Sequence, residues 1–118
     1  MSYDIYLRDP VDKSILEFKD VHHIRGGTFA IGGTTQAHLN ITYNYSGIFR
    51  QYLGESGIRE IYGKSGAESI PILLGVIEKL GDDTDPDYWK ATEGNAKKAL
   101  CGLLALARMR PDGVWHGD

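Results

Sequence analysis

The ten residues 36–45 alternate strictly between polar and apolar side chains. The apolar members are Ala37, Leu39, Ile41, Tyr43 and Tyr45, and the polar members are Gln36, His38, Asn40, Thr42 and Asn44. Because successive side chains of a β-strand point to opposite faces, this period of two predicts a strand with one apolar and one polar face. The apolar face requires a covering layer. The polar face is left for solvent, a ligand or another subunit.

A glycine-rich stretch directly precedes this strand. Residues 26–35 read GGTFAIGGTT and repeat Gly-Gly-Thr at a spacing of six, in a chain with 15 glycines among 118 residues. Glycine loses more conformational freedom on folding than any other residue, so it is kept where the backbone needs a positive φ or approaches another group closely. Either a ligand or a neighbouring strand is that group, and the sequence leaves both interpretations open.

Short apolar runs earlier in the chain predict further strands. The runs 3–7 and 15–18 alternate in polarity and flank a turn-rich stretch, which predicts an antiparallel hairpin. A third short run, 28–31, lies between the two glycine pairs.

The apolar spacing changes to that of helices from residue 46 onward. Ser46 is predicted to cap a first helix and Gly54 to end it, with a second helical turn over residues 58–62. Ser65 and Glu68 have the spacing of a capping box, which predicts the start of the next helix.

The remaining helical signals lie between that capping box and the last residues. Pro71 suits the first turn of the helix that begins near residue 65, and Gly81 is predicted to stop it. A last helix is predicted to begin at Asp85-Pro86, to be interrupted by Gly94, and to carry an apolar stripe to residue 107. After a turn at residues 111–113, Trp115 is expected to fold back onto the body.

The order of these elements, strands first and helices second, predicts the fold class. We expect a single α+β domain over residues 1–118, in which an antiparallel sheet of about four strands from the N-terminal half packs against two to four helices from the C-terminal half.

Composition excludes several functional classes. A formal net charge of −3 argues against a general affinity for nucleic acid, and the apolar runs are shorter than the ~20 residues of a membrane span. The polar, alternating residues 1–10 do not resemble a secretory signal. The single cysteine, Cys101, excludes an intrachain disulfide, fits a reducing cytoplasm, and is expected to be a buried and inert thiol among leucines and alanines.

Residues 57–65, GIREIYGKS, look at first like a phosphate-binding P-loop. That motif has four residues between its glycines, whereas five bulky residues stand here, so a nucleotide-hydrolysing loop is not expected. Lys64 and Ser65 near a predicted helix start remain candidates for binding an anion, and a plain capped turn is the alternative.

Metal and catalytic chemistry have weaker support. Asp83, Asp85 and Asp87 alternate as at the start of a calcium loop, but the required glycine and distant glutamate are missing, and carboxylates at a helix start explain them better. The four histidines do not have the spacing of metal ligands, and no Ser-His-Asp or Cys-His arrangement is evident. We therefore assign no catalytic residue, no metal and no cofactor.

The glycine-threonine stretch and the strand after it form the candidate ligand site. They place many neutral donors and acceptors beside aromatic rings, which suits a small polar ligand with a base or sugar, and a solvated sheet face with glycine bulges is the alternative. Phosphate contacts are expected from Arg25, Lys64 and Ser65. The candidate binding residues are Arg25, Gly26, Gly27, Thr28, Gly33, Thr34, Thr35, Gln36, His38, Asn40, Thr42, Tyr43, Asn44, Tyr45, Lys64 and Ser65.

Nearly the whole chain resembles a group of small proteins encoded by phages and prophages. The resemblance rests on YDIYLRDP, on GGT…GGTT followed by LNITYNYS, on YGKSGAES, and on WKATEGNAKKAL…RPDGVWHGD. It implies a viral accessory protein acting in the cytoplasm of a bacterial host, and none of these motifs carries an established chemistry.

The candidate site predicts a non-enzymatic, homo-oligomeric binding protein for a small nucleotide-derived signal, and the resemblance to phage proteins implies that sequestering this signal counters host defence. Self-association is expected because so small a chain obtains a deep pocket most readily between subunits. The alternative is a protein–protein inhibitor of a host defence factor, or a phage accessory or structural protein, that binds through exposed tyrosines or the acidic residues 82–87. An enzyme acting on a nucleotide or sugar is the weakest hypothesis, because no acid–base pair is identifiable.

Overall fold

A computed structural model describes residues 1–24 and 32–118, and over these residues the chain has the predicted α+β fold. Five strands form two antiparallel sheets, and three α-helices follow most of the strands. The strands are β1 (Ser2–Arg8), β2 (Glu17–His22), β3 (Thr34–Gln36), β4 (His38–Thr42) and β5 (Val114–Gly117). The helices are α1 (Ser46–Leu53), α2 (Gly66–Lys79) and α3 (Glu93–Met109), with 3₁₀ turns at Tyr43–Tyr45 and Gly57–Ile61.

The larger sheet has the strand order β4-β1-β5. Along β1, Tyr3, Ile5 and Leu7 are buried, and Ile5 lies opposite both Leu39 and Gly117. These inward side chains belong to the hydrophobic core that α2 and α3 complete. Burial of alternate residues fixes the register, because a slip of one residue would turn every apolar side chain of β1 to the other face.

The predicted strand 36–45 is divided at Ala37. Its first part, β3, pairs with β2, and its second part, β4, pairs with β1. The Ala37 N–H donates to Leu16 O at 2.9 Å, and Ala37 O accepts from the Leu7 N–H at 3.0 Å. One buried residue therefore joins the two sheets, which the uninterrupted alternation did not indicate.

The same prediction was wrong for residues 43–45, which form a 3₁₀ turn. The Thr42 side chain accepts a hydrogen bond from the Asn44 N–H at 3.1 Å, and this cap ends the extended backbone. Tyr45 is nevertheless fully buried, so the alternation identified its inward direction correctly.

The turn of the predicted N-terminal hairpin is present in the structure. Arg8 and Ile15 form an antiparallel bridge, and the Asp9 N–H donates to Ser14 O at 2.8 Å. Beyond this turn β2 leaves β1 and pairs with β3. The short run predicted at 28–31 lies outside the described residues.

The first two helices follow their signals closely. Gly54, at φ 131°, ends α1, but Ser46 is the first helical residue rather than its cap, and its hydroxyl donates to Tyr43 O. The turn over 58–62 is the second 3₁₀ segment, and the Ser65–Glu68 capping box is formed with both of its hydrogen bonds. Pro71 lies in the second turn of α2 rather than the first.

The predicted start of the last helix at Asp85-Pro86 was wrong. Residues 81–91 form a loop, and Thr92 caps α3. Asn95, whose exposed fraction is 5%, holds this loop. Its Oδ1 accepts from the Asp85 N–H at 3.0 Å, and its Nδ2 donates to Asp87 O and Lys90 O at 3.1 Å each. The buried amide of Asn95 in α3 thus fixes the loop through three hydrogen bonds that the helical pattern does not show.

Carboxylates of the loop also bind its backbone. Asp83 accepts from the Gly94 N–H at 3.2 Å in the first turn of α3, as expected of a helix-start carboxylate. Asp85 and Asp87 instead accept from the N–H groups two residues onward, at 2.8 and 3.1 Å. These two residues therefore shape the loop and do not start a helix.

The C-terminal residues complete the fold. Trp115 folds back as predicted, is 1% exposed, and donates from Nε1 to Ser69 Oγ at 2.7 Å. Cys101, predicted to be buried, is exposed on α3 because it lies outside the stripe formed by Ala96, Leu100 and Leu103. None of the helices in the described part of the chain has the length and apolar character needed to cross a bilayer.

Two glycine-to-alanine substitutions in helices should have opposite effects. At Gly94 an added Cβ would lie 2.6 Å from Thr84 N and 2.7 Å from Asp83 C, so alanine should lower the free energy of unfolding by about 1–3 kcal/mol. At Gly75, where no described atom lies within 4 Å of the added Cβ, alanine should raise it by about 0.5–1 kcal/mol. Urea denaturation measures both, and equal effects would contradict the packing of the loop on α3.

Candidate functional site

The side chains on the solvent side of the larger sheet form the candidate site, which we call the outer face. They alternate along each strand with the buried residues of the core, so the sheet itself directs them outward. Over the described residues, no helix covers this side of the sheet, because α2 and α3 pack with the core on the other side. The outer face consists of Asp4, Tyr6 and Arg8 from β1, His38 and Asn40 from β4, and His116 from β5.

Tyr6 lies at the centre of the outer face. It is paired with His38 on one neighbouring strand and with His116 on the other. The ring centroid of Tyr6 is 6.4 Å from that of His38 and 5.5 Å from that of His116. Three rings on three adjacent strands thus form a continuous aromatic row across the sheet.

Arg8 lies over the central ring of this row, from the next outward position of β1. Its guanidinium carbon is 5.2 Å from the Tyr6 ring centroid, and Nη2 donates to the Tyr6 hydroxyl at 3.2 Å. A guanidinium over a phenol ring is attracted by the electrons of the ring, which holds the cation next to the aromatic surface.

Asp4 places an anion on β1 on the other side of Tyr6 from Arg8. Its Oδ1 accepts from Asn40 Nδ2 at 3.0 Å and lies 3.0 Å from His38 Nε2. The hydrogen bond from Asn40, assisted by His38 and opposed by partial burial, lowers the pKa of the Asp4 carboxyl. The Asp4 side chain is 54% exposed, so this carboxylate remains available to a ligand.

A pocket of about 170 Å³ adjoins the outer face at the Arg8 end. It is lined by Arg8, Asp9, Lys13, Gly63, Val114, Trp115 and His116. The outer face therefore runs from a carboxylate, across an aromatic row, to a pocket whose lining carries two permanent cations, Arg8 and Lys13, and one carboxylate, Asp9.

Of the residues predicted from the sequence, His38 and Asn40 lie on the outer face. Several others bind within the protein. Thr35 Oγ1 donates to Glu17 Oε1 at 2.9 Å, and Asn44 Nδ2 donates to Trp89 O at 2.8 Å.

Other candidate binding residues also have internal contacts. The Thr34 hydroxyl accepts from the Gln36 N–H at 3.1 Å. Thr42 is buried and caps the 3₁₀ turn, and Tyr43 packs edge-on against Tyr3 with centroids 4.5 Å apart. Their hydrogen-bonding groups and rings therefore have roles in the fold, and their binding of a ligand stays a prediction.

Lys64 and Ser65 lie beyond the β5 edge of the larger sheet, whereas β4 forms its other edge. Trp115 of β5 donates its N–H to Lys64 O at 2.9 Å, so residues 63–65 lie beside β5. Three strand spacings of about 4.8 Å, roughly 14 Å in all, separate them from β4. The Ser65 hydroxyl already accepts from the Glu68 N–H at 3.0 Å in the capping box. The structure does not bring these two residues next to His38 and Asn40.

The glycine-rich stretch is described only in part, because Arg25, Gly26, Gly27 and Thr28 lie outside the described residues. Gly33 has φ +84°, and a Cβ there would lie 2.5 Å from His22 O on β2. At this position a neighbouring strand is sufficient reason for glycine.

Sequence reasoning missed Asp4, Tyr6, Arg8, Lys13 and His116. A signal existed for the first three, because the polar members of residues 2–8 alternate with Tyr3, Ile5 and Leu7 as clearly as those of residues 36–42 do. His116 joins the site only through the pairing of β5 with β1, which sequence spacing does not reveal.

One other cavity is less suited to a ring-containing ligand. An open groove of about 370 Å³ beside α3 is lined by Asp82, Thr84, Gly94, Lys97, Lys98 and Cys101, and this lining includes no aromatic ring. Within residues 1–24 and 32–118, no three histidine, cysteine, aspartate or glutamate side chains gather closely enough to hold a metal ion.

Comparisons of the chain with protein-family models, with curated proteins and with solved structures gave no match.

The Asp4 carboxyl provides a pH test of this geometry. The Asn40→Ala substitution should raise the pKa of Asp4 towards its ordinary value of 3.8, because it removes the largest cause of the lowering. Carbon-detected NMR titration of the aspartate carboxyls measures this, and Asn44→Ala, which leaves the partners of Asp4 intact, is the control.

The sign of the pH dependence of stability follows from the same shift. A carboxyl whose pKa is lowered on folding stabilises the protein above its unfolded value, and this contribution disappears as the pH falls through the folded value. The Asn40→Ala variant should therefore differ from the natural protein more at pH 6 than at pH 2.5. An unchanged pKa of Asp4 in Asn40→Ala would contradict the contact.

Proposed function

We propose that this protein is a non-enzymatic binding protein that captures a small nucleotide-like anion on the outer face. The observation that carries the proposal is the aromatic row, in which Tyr6 lies between His38 and His116 with Arg8 over its ring. Aromatic side chains on an open sheet are a common platform for nucleobases, and each stacked base contributes about 1–3 kcal/mol.

The charges of the outer face suggest the orientation of such a ligand. Asp4 and Asn40 offer a carboxylate and an amide to the polar edge of a base, whereas Arg8 attracts a negatively charged group. The base is therefore placed over the His38 side of the row and the anionic group at the Arg8 end.

Binding without turnover is favoured by the exposure of the site. The His38–Asp4 pair is the nearest approach to an acid–base arrangement, and the Asp4 side chain is half exposed. Most enzymes exclude water around the reacting groups, because a dry site strengthens electrostatic stabilisation of the transition state.

The resemblance to phage and prophage proteins supports a biological setting for this activity. We place the protein in the cytoplasm of an infected bacterium, where it sequesters a nucleotide signal of host defence. Self-association belongs to this proposal, since a second copy lying over the exposed outer face would enclose the ligand.

A second candidate function is favoured by Trp89. Its exposed fraction is 51%, and it lies in the acidic loop that Asn95 fixes. Exposed tryptophans on ordered loops often dominate protein–protein binding energy. Inhibition of a host defence protein, or an accessory or structural role in the phage, would use this loop in place of the outer face.

Ligand binding should depend on the Tyr6 ring. In a thermal-shift screen of cyclic dinucleotides and ADP-ribose derivatives, a ligand at 100 times its Kd should stabilise the natural protein by about 2.7 kcal/mol. The Tyr6→Leu variant should bind at least about tenfold more weakly, because the stacking surface is lost. The Tyr52→Leu variant, changed on α1, is the control and should retain affinity. The proposal fails if no compound shifts a cleanly folded sample, or if Tyr6→Leu binds normally.

A plaque assay separates the two functions. In bacteria that carry a nucleotide-signalling defence system, expression of the natural protein should restore plaque formation by a sensitive phage. Tyr6→Leu should abolish this rescue, while Trp89→Ala should preserve it. The reverse pattern would favour the protein–protein inhibitor, and a natural protein without any effect would count against both forms of anti-defence activity.

A further inference from the structure

We infer that the pocket lined by Arg8, Lys13 and His116 binds a phosphoryl group of the ligand. This inference rests on the proposed function, because the pocket would hold the charged end of the molecule whose ring lies on Tyr6. It adds the class of ligand, a nucleoside phosphate, and assigns Lys13 to the site.

The volume of the pocket limits what it can hold. About 170 Å³ corresponds to five or six water molecules at roughly 30 Å³ each. Sites that enclose a whole drug-sized ligand begin near 300 Å³. The pocket therefore accepts one phosphoryl group with a few waters, and the rest of a nucleotide must lie outside it on the outer face.

The charges of the pocket favour an anion. Within the described residues, neither Arg8 nor Lys13 forms an ion pair with a carboxylate. Arg8 has five N–H donors, and its contact with Tyr6 uses one. Asp9 is the single acidic side chain of the lining, and its Oδ1 already accepts from the N–H groups of Val11 and Asp12. The two permanent cations thus outnumber an anion that is engaged in the turn.

The backbone conformation of Lys13 supports a role in the pocket. Its φ is +65°, and it is the one non-glycine residue with a positive φ among those described. This conformation is unfavourable for lysine, whereas glycine, asparagine and aspartate adopt it more readily. Strained residues of this kind concentrate at functional sites. Lys13 lines the pocket together with Arg8 and His116, and its Nζ donates to Pro10 O at 3.2 Å, which leaves two N–H donors of the ammonium group for an anion.

The pocket lies close to the aromatic row. Tyr6 and Arg8 are two positions apart on β1, which is about 6.7 Å along the strand. His116 lies 5.5 Å from the Tyr6 ring and also lines the pocket. This separation is comparable with the length of the sugar between a base and its phosphate, so one nucleotide reaches both.

Calorimetric titration with three probes tests the inference. The probes are pyrophosphate, adenosine and ADP-ribose, and the variants are Lys13→Gln and Arg8→Gln. Lys19→Gln, which removes an equal charge from an exposed position on β2, is the matched control. We expect Lys13→Gln to lower the affinity for pyrophosphate and for ADP-ribose about fivefold, and Arg8→Gln to lower both affinities at least as much. Lys19→Gln should change neither affinity. Adenosine should bind Lys13→Gln as it binds the natural protein.

The outcomes distinguish the pocket from the proposed function. If adenosine binds as tightly as ADP-ribose and Lys13→Gln changes neither affinity, the phosphoryl pocket is overturned while nucleotide binding stands. If pyrophosphate binds in a Lys13-dependent manner but adenosine and ADP-ribose add nothing to it, the pocket is supported and binding of a base on Tyr6 is contradicted. If none of the three probes binds, both are overturned.

Discussion

Burial of Tyr3, Ile5 and Leu7 on the inner side of β1 is the constraint on which the rest of the structure depends. It fixes the register of the central strand, and this register pairs Tyr6 with His38 on one side and His116 on the other. A slip of one residue would bury Asp4, Tyr6 and Arg8 and expose the core. The same hydrophobic contacts that stabilise the sheet therefore assemble the aromatic row and set the positions of the charges around it.

Local signals were sufficient where local physics decides the structure. Gly54 ended α1, and a capping box began α2 because it satisfies free N–H groups at the start of the helix. The signals failed where the hydrogen bonds of a buried residue compete with the local pattern. Asn95 holds the loop that was predicted as a helix, and Ala37 binds backbone groups of Leu7 and Leu16 and so divides the predicted strand. Asn95 and Ala37 are both buried, and neither periodicity nor capping signals show which groups a buried residue will bind.

The candidate site was predictable to a similar extent. Alternation identified His38 and Asn40 as outward residues, and the same reasoning applied to β1 would have found Asp4, Tyr6 and Arg8. His116 and Lys13 could not be found in this way, because they reach the site through strand pairing and through a strained turn. The second glycine pair of the Gly-Gly-Thr repeat does not require a ligand at Gly33, because the close approach of β2 explains that glycine. Gly26 and Gly27, in the first pair, lie outside the described residues.

The central claim is that a ligand binds on the outer face. The most direct measurement is the mapping of backbone amide chemical-shift changes during titration with ADP-ribose or with a cyclic dinucleotide that stabilises the protein. We predict saturable changes at Asp4, Tyr6, Arg8, His38 and His116, with little change along α2 and α3. Changes concentrated at the groove beside Lys97 and Cys101, or no saturable change with any compound of the screen, would contradict the assignment of the outer face as the binding site.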